Sequence, residues 1–285
     1  MTATNFPRGT DSRATQTFPI VQRSGIRFFR RVSRTLIGVF LDIGHRVFFA
    51  RDILRAFGDP ATYVPLTIRQ MRNIGVDSLP IAAIVAAFIG AVTALQTRYQ
   101  LFPGIQLSVV GFITRQMLIL ELGPLLTALV LTGRVGARMT AEIGTMRVTE
   151  QIDALETLAY DPVAYLVVPR LLAALVMLPV LVILANAIGV GTAFLTAVAA
   201  TDVTWGQFQE GLRLGFTPFQ VLYSLIKAFF FGGAIAFVCA YEGYITEAGA
   251  EGVGRSTARA VVITSVVILL LDALTATILA PQLQS

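Results

Sequence analysis

The chain has 285 residues, of which 55% are apolar and only 14% are charged, with a mean hydropathy of +0.73. Soluble domains carry roughly 25% charged residues, so this composition excludes a soluble globular fold for the main part of the chain. Several apolar runs reach the length of about 20 residues that a helix needs to cross a bilayer. Because a transmembrane barrel instead needs alternating segments of about 10 residues, the sequence predicts an all-α integral membrane protein.

Positive charge is concentrated at the N-terminal end of the chain. Residues 1–75 contain 12 Arg and 4 Asp, a net charge of +8, whereas the rest of the chain has a net charge of −3. An Arg-rich flank before the first span predicts a cytoplasmic N-terminus. No aromatic and basic nucleic-acid-binding module accompanies these arginines, so we expect anionic lipid head groups rather than nucleic acid as their partner.

The first 60 residues are predicted to lie outside the spanning region. Residues 1–22 are polar and contain two prolines, which is typical of a disordered tail and unlike a signal peptide. Residues 23–60 predict an Arg-rich amphipathic helix in the membrane interface, because apolar residues recur at helical spacing while arginines interrupt any spanning run. A helix packed on other protein is the alternative. Residues 61–285 form the predicted membrane domain.

Five apolar segments predict transmembrane helices. They are approximately Leu79–Thr97, Leu107–Thr132, Val163–Ala200, Pro218–Ala240 and Arg259–Ala280. The third run has 38 residues, or about 57 Å of helix, and we interpret it as one long span with a turn at its start. Two short spans with a break near Asn186–Gly191 are the alternative. If the chain crosses the membrane five times, 18 basic residues lie on the side of the membrane that holds the N-terminus. Only Arg98 and Arg213 lie in the loops on the opposite side, which supports the five-span prediction.

Two rows of small residues follow the second predicted span. One row contains Gly133, Ala137 and Ala141, and the other contains Gly136, Thr140 and Gly144. Small residues four positions apart let helix backbones approach closely, so both rows predict a tight seam between helices.

A short acidic helix is predicted next, over Glu150–Ala159, with Thr149 as its N-cap and Asp161–Pro162 at its end. Its apolar face would contain Ile152, Leu155 and Leu158, and its charged face Glu150, Asp153 and Glu156. Such a helix would present a surface to a soluble partner, and a solvated loop helix is the alternative.

Four ionisable residues fall within the predicted spans, namely Arg115, Glu121, Lys227 and Asp272. A charge at the centre of a spanning helix costs about 2.5–3.5 kcal/mol, so such groups normally face a bundle interior and pair. We predict that Lys227 pairs with Glu121 or Asp272. The functional interpretation is a polar lining for a substrate with a charged head, and the alternative is a structural ion pair with no role in transport.

The sequence contains no constellation of catalytic residues or metal ligands. A single cysteine, Cys239, and a single histidine, His45, exclude a disulfide framework and a multi-histidine site within one chain. The segment Gly249–Ser256 approximates a phosphate-binding loop, but Arg255 replaces the lysine and a membrane span, not a strand, precedes it. We therefore expect this chain to bind no metal or cofactor and to have no catalytic residue of its own.

Two segments carry a resemblance to a known family. ELGPLLTALVLTGRVGARMTAEIGTMRVTEQIDAL, which begins at Glu121, and the following DPVAYLVVPRLLA resemble the MlaE/YrbE permeases, the membrane subunits of MCE-type lipid ABC transporters. The similarity extends roughly from Tyr63 to Ala280 and includes GYITEAGAEGVGRSTARAVV. It identifies residues 61–285 as an MlaE-type permease domain. One departure is Leu120, which stands where close relatives often have arginine.

The resemblance implies a permease homodimer in the bacterial inner (cytoplasmic) membrane that moves lipid, with phospholipid as the expected class. It implies three kinds of partner: a separate ABC ATPase that binds ATP and Mg, a periplasmic MCE-domain protein and, as a further candidate, a small STAS-type regulatory subunit. The segment Glu150–Leu158 would be the coupling helix received by the ATPase. Glu121, Lys227 and Asp272 fall where the family carries membrane-embedded polar residues. A proton-coupled secondary transporter and a non-transporting membrane scaffold are the alternatives from other classes.

Overall fold

A computed structural model describes residues 42–58, 60–247 and 249–283 of the chain. The predicted tail over residues 1–22 lies outside the described residues. The part of the predicted interfacial helix before residue 42 also lies outside them. Residues 42–56 are helical and are labelled α1. The chain divides into two compact units, Met1–Phe49 and Ala50–Ser285. The spanning helices and the candidate site belong to the second unit.

The second unit consists of helices joined by short connections. After α1 come α2 (Pro60–Ile74), α3 (Leu79–Gln100), α4 (Ser108–Met117), α5 (Gly123–Leu131), α6 (Ala137–Val148), α7 (Gln151–Thr157), α8 (Val168–Ala200), α9 (Trp205–Arg213), α10 (Pro218–Tyr244) and α11 (Ala250–Leu279). Three π-helical segments occupy Leu118–Leu122, Thr132–Gly136 and Val163–Val167, and 3₁₀ turns occupy Val76–Ser78 and Ala280–Leu283. The residues that the structure describes contain no strand, which confirms the all-α class.

Within the described residues, five continuous helical stretches are long and apolar enough to cross a membrane, as predicted. They are Tyr63–Gln100, Ser108–Val148, Val163–Ala200, Pro218–Tyr244 and Ala250–Leu279. The third is a single span, because α8 runs without a break through Asn186–Gly191. The second does not end near Thr132 as predicted. Thr132–Gly136 forms a π-helical turn instead, so the helix continues to Val148 and is about 62 Å long.

Close backbone contacts at glycines hold several of these helices together. A Cβ atom on Gly90 of α3 would lie 2.0 Å from the carbonyl oxygen of Gly189 on α8. A Cβ atom on Gly111 of α4 would lie 2.4 Å from the carbonyl oxygen of Phe208 on α9. These contacts were not anticipated, because an isolated glycine in an apolar run does not reveal which helix it faces.

Only one of the two predicted rows of small residues forms a seam within the chain. Thr140 is fully buried, with its hydroxyl 2.9 Å from the carbonyl oxygen of Cys239 on α10. Cβ atoms on Gly136 and Gly144 would lie 2.8 Å from Cys239 Sγ and from Thr246 Oγ1. In the other row Ala137 and Ala141 are half-buried, and Gly133 is exposed with no described atom within 4 Å of its Cβ position. That row therefore makes no equivalent seam among the described residues.

The Gly90 contact makes a stability prediction. Gly90→Ala places a methyl group where the Gly189 backbone already lies, so we expect it to destabilise the fold by about 1–3 kcal/mol through overpacking. Gly191→Ala in α8 is the matched control, since its Cβ would meet nothing within 4 Å. Thermal unfolding of both variants in detergent measures the difference. Equal unfolding temperatures would contradict the close α3–α8 contact.

The connection between α8 and α9 makes a second prediction, on pH. Arg98 at the end of α3 binds Asp202 through two hydrogen bonds of 2.5 Å, and this contact lowers the pKa of Asp202 below its ordinary value of about 3.9. A carboxyl whose pKa is lowered by folding stabilises the fold above its unfolded pKa, and that contribution is lost as the pH falls through the folded pKa.

The single tryptophan, Trp205, reports on this connection, because its ring packs edge-on against Phe194 at 4.5 Å. We expect Trp205 emission to be constant from pH 7 to about pH 5 and to change only as the pH falls below about 4. Asp202→Asn should remove this change. An identical acid transition in the Asp202→Asn protein would show that another group is responsible.

Candidate functional site

A change in the helical hydrogen-bond pattern of the second span shapes the candidate site. Pro124 has no N–H group, so it cannot donate the usual helical hydrogen bond to the carbonyl of Leu120, four residues earlier. The N–H of Gly123 instead reaches back five residues to the carbonyl oxygen of Leu118, which closes the π-helical turn Leu118–Leu122. Such turns are frequent at functional sites. Here the turn frees the Leu120 carbonyl and carries the side chain of Glu121.

Lys227 of α10 is the centre of the site. It is fully buried, and its Nζ atom lies 2.8 Å from Glu121 Oε2, 2.5 Å from Asp272 Oδ1 and 3.3 Å from the carbonyl oxygen of Leu120. Two of its N–H donors have hydrogen-bond acceptors, Glu121 and the Leu120 carbonyl, and Asp272 lies within ion-pair distance. The sequence predicted a pair, and the structure contains a triad that joins the second span, α10 and α11. We call Glu121, Lys227 and Asp272 the charged triad.

The three members of the charged triad differ in accessibility. Lys227 is inaccessible and the side chain of Asp272 is only 11% exposed, whereas the side chain of Glu121 is 45% exposed. With both carboxyls ionised the triad has a net charge of −1. Its accessible face is therefore an acceptor with excess negative charge, which suits a cationic or hydrogen-bond-donating group.

An apolar groove lies beside the charged triad. It has about 680 Å³ of empty volume, part of it open to the surroundings, and its walls include Ile119, Ile183 and Val190. Two polar side chains also line it, Asn186 and Ser224, which are joined by a hydrogen bond of 3.1 Å. Ser224 lies one helical turn before Lys227 on α10. The groove thus combines apolar walls with a polar end close to the triad.

Arg115, the fourth predicted residue, lies in a different environment. It is buried, and its guanidinium donates hydrogen bonds to the carbonyl oxygens of Leu212 (2.7 Å) and Leu214 (3.1 Å) at the end of α9. It also lies over the rings of Phe112 and Phe216, with its Cζ atom 5.5 and 5.4 Å from their centroids. Its observed contacts cap a helix, a favourable place for a cation, so the structure does not bring Arg115 to the triad.

The predicted coupling helix exists as α7 but with different ends. Thr149 does not cap it, because the Thr149 hydroxyl donates to the Thr145 carbonyl (2.8 Å) and closes α6 instead. Glu150 has a left-handed backbone (φ 58°) and lies at the N-cap, and Ala159 beyond the other end is also left-handed (φ 64°). Left-handed residues other than glycine are uncommon and cost roughly 1–2 kcal/mol each, so α7 is held at both ends by sharp turns.

Specific contacts fix α7 to the end of the second span. Ile152 is fully buried, and Asp153 forms an ion pair with Arg147 of α6 at 2.7 Å. The guanidinium of Arg147 also lies 5.9 Å from the ring centroid of Tyr244, at the end of α10. Leu155 is half-buried and Glu156 is exposed, whereas Leu158, at the C-cap, is 68% exposed. The predicted apolar face is therefore divided, with Ile152 inside the chain and Leu158 available to a partner.

Sequence reasoning missed several members of the site. Tyr223 is buried with its ring centroid 5.3 Å from Lys227 Nζ, and Asn186 and Ser224 supply the polar end of the groove. The Leu120 carbonyl was also missed, although the signal was present: a proline four residues after it inside a spanning run releases a carbonyl. Tyr223 and Ser224 carried a weaker signal, because they lie four and three residues before Lys227.

The charged triad makes a prediction about stability. Lys227→Met leaves two carboxyls without their cation, so we expect a loss of about 3–5 kcal/mol, as for other buried pairs that lose one partner. The triple variant Lys227→Met, Glu121→Gln, Asp272→Asn removes all three charges and should recover most of that loss. Thermal unfolding in the same detergent measures both. If the triple variant is no more stable than Lys227→Met alone, electrostatic coupling within the triad is contradicted.

Comparison with known proteins places the chain in a family. The family described as Permease MlaE matches residues 67–278. A probable ABC transporter permease of Rickettsia prowazekii is 43% identical over 216 residues, covering 74% of this chain and 82% of that protein. The intermembrane phospholipid transport system permease protein MlaE of Haemophilus influenzae is 34% identical over 248 residues, covering 87% and 95%. The chloroplastic protein trigalactosyldiacylglycerol 1 of Arabidopsis thaliana is 31% identical over 207 residues, covering 72% and 59%. This chain belongs to the MlaE permease family.

Proposed function

We propose that this chain is the permease subunit of an ATP-binding-cassette transporter that moves phospholipid between the bacterial inner membrane and a periplasmic MCE-domain carrier. Membership of the MlaE permease family supports the transporter class. The Haemophilus relative is named for intermembrane phospholipid transport, which supports the class of substrate. The structural observation that carries the proposal is the attachment of α7, an exposed short helix fixed to the end of a spanning helix that also carries part of the charged triad.

The substrate would occupy the apolar groove and contact the accessible carboxyl of Glu121. Acyl chains suit the walls around Ile119 and Val190, and the Asn186 and Ser224 side chains supply polar atoms at the groove end. With both carboxyls ionised, the charged triad carries excess negative charge, and a head group with an ammonium or hydroxyl donor would fit it best. Lys227 and Asp272 are the less accessible members, so their role would be to hold Glu121 and the three helices in place.

The force for transport would come from a separate ATPase. That partner would bind ATP and Mg and would receive α7, with Leu158 and Glu156 as the exposed contact residues. The stretch Ser108–Val148 is continuous from the charged triad to the base of α7, so a displacement of α7 would move the helix that carries Glu121. In this mechanism the chain is a transport subunit without catalytic residues, and the coupling is mechanical.

The remaining parts of the assembly belong to the same proposal. Two copies of the chain would form the permease, with the N-terminus in the cytoplasm and residues 23–60 in the membrane interface. The row of Gly133, Ala137 and Ala141 makes no seam within the described residues; Gly133 is exposed and the two alanines are half-buried, so this row would contact the other copy. An MCE-domain protein would deliver or accept lipid on the periplasmic side, and a small STAS-type subunit is a further candidate partner.

A proton-coupled carrier is the second candidate, and one observation favours it. Glu121 and Asp272 share a single cation, so one carboxyl of the charged triad is in excess and is a possible proton site. The two candidates differ in reconstituted vesicles. The carrier would move lipid from the purified chain alone when a proton gradient is applied, whereas the ABC permease would require the ATPase and ATP.

The attachment of α7 makes the test of the proposed function. Leu158→Asp changes an exposed residue, so it should leave the unfolding temperature unchanged while reducing ATPase co-purification and ATP-dependent lipid transfer at least ten-fold. Asp153→Lys removes the ion pair with Arg147 and should have the same direction of effect. Leu214→Asp is the matched control, because Leu214 is also exposed (51%) but lies between α9 and α10. Retention of the ATPase and of transfer by both α7 variants would overturn the assignment.

A further inference from the structure

A second polar cavity lies apart from the charged triad, at the helix ends nearest α7. It is a narrow cleft that is partly open to the surroundings. Its polar lining consists of Arg134, Arg138, Glu142, Arg170, Gln70 and Asn73, which come from α2, the second span and α8. Ile74, Val135 and Met139 supply apolar wall. We call this cavity the arginine pocket.

The charges that line the arginine pocket do not balance. Among the described residues that line the pocket, Glu142 is the one acid, and it is shared: Oε1 accepts a hydrogen bond from Arg138 Nε at 2.8 Å, and Oε2 accepts one from Arg170 Nη2 at 3.2 Å. Arg134 donates to the hydroxyl of Ser78 at 2.7 Å, which satisfies a donor but neutralises no charge. Three guanidinium groups and one carboxylate give the lining a net charge of +2.

Two of the three arginines of the pocket are held in place by contacts within the chain. Arg170 is only 7% exposed, and besides Glu142 it donates to the carbonyl oxygen of Leu166 at 2.7 Å, within the π-helical segment Val163–Val167. Arg134 is fixed by Ser78 at the start of α3. A preorganised group of planar guanidinium forks is the arrangement that binds phosphate oxygens most effectively, because each fork donates two parallel hydrogen bonds.

We propose that the arginine pocket binds a phosphate group, and that the phosphate belongs to the head group of an acidic phospholipid. The excess of two positive charges favours an anion, and the planar arginine forks match the geometry of phosphate oxygens. The apolar wall formed by Ile74, Val135 and Met139 provides contact for the glycerol and the first methylenes of a lipid. Basic pockets between spanning helices are a known setting for acidic lipid head groups. This site is separate from Glu121 and stands whether or not the chain transports lipid.

The test uses the purified full-length chain in detergent and two probes, phosphatidylglycerol and inorganic phosphate. Native mass spectrometry counts bound lipid, and thermal unfolding measures stabilisation by each probe, with phosphatidylcholine as the net-neutral comparison. We expect the wild-type chain to retain phosphatidylglycerol in preference to phosphatidylcholine. Arg134→Gln with Arg138→Gln should weaken this binding about 25-fold, since each surface arginine contributes about five-fold to anionic lipid binding.

Two further variants keep the result interpretable. Asn73→Asp adds one negative charge at nearly constant size and should weaken phosphatidylglycerol binding about five-fold. If the double arginine variant fails to fold, the binding measured for Asn73→Asp tests the phosphate site. Arg255→Gln is the matched control, because Arg255 is an exposed arginine paired with Glu251 outside the pocket, and it should change nothing.

The two probes separate the possible sources of the phosphate. Stabilisation by phosphatidylglycerol that is lost in Asn73→Asp supports the lipid head group. Stabilisation by inorganic phosphate alone, lost in the same variant, retains the phosphate site but assigns it to a soluble ligand and overturns the lipid source. If neither probe distinguishes wild type from the pocket variants, the phosphate site itself is overturned.

Discussion

A lysine ammonium group inside a helical membrane bundle must be paired, and the surroundings of Lys227 are arranged to meet this requirement. An unpaired cation at membrane depth is costly. The chain supplies Glu121, Asp272 and the Leu120 carbonyl from two other helical stretches. The local sequence Glu-Leu-Gly-Pro makes this possible, because Pro124 releases a carbonyl and the π-helical turn presents Glu121 on the same side.

The second span connects the charged triad, inside the membrane domain, with α7 at the end of that span. Glu121 lies on the stretch Ser108–Val148, whose last turn carries Arg147, and Arg147 fixes α7 through Asp153. α10 is joined to this stretch at two levels, through Lys227 at the charged triad and through the packing of Thr140 against Cys239. A movement of α7 would therefore be transmitted by helices that are locked to each other, rather than lost in a flexible connection. The proposed mechanical coupling depends on this rigidity.

Hydrophobic length and the cost of buried charge made much of the fold and site predictable from the sequence. The five spans, the single long third span and the pairing of Lys227 all follow from these two considerations. The ends of elements were less predictable. The second span is predicted to end near Thr132, but a π-helical turn over Thr132–Gly136 joins it to α6 and the helix continues. Thr149 has the right side chain for an N-cap, yet its hydroxyl bonds back into α6 because the next residue adopts a left-handed backbone.

Properties that depend on neighbouring helices could not be predicted. The two rows of small residues are equivalent in sequence, and only the position of α10 decides that Thr140 is buried while Gly133 is exposed. Arg115 resembles the charged triad by composition and depth, but its partners are carbonyl groups at the end of α9, nearly 100 residues away in sequence. The arginine pocket likewise exists only because α2, the second span and α8 bring their polar side chains to one place.

In the proposed mechanism, nucleotide binding by a partner ATPase would change the surroundings of Glu121 through α7 and the second span. Carboxyl labelling with a membrane-soluble carbodiimide, read by mass spectrometry, tests this directly in the purified complex with and without a non-hydrolysable ATP analogue. We expect labelling of Glu121 to differ between the two states, while Glu251, exposed on α11, is labelled equally in both. Equal labelling of Glu121 in both states would show that nucleotide binding does not reach the charged triad through α7.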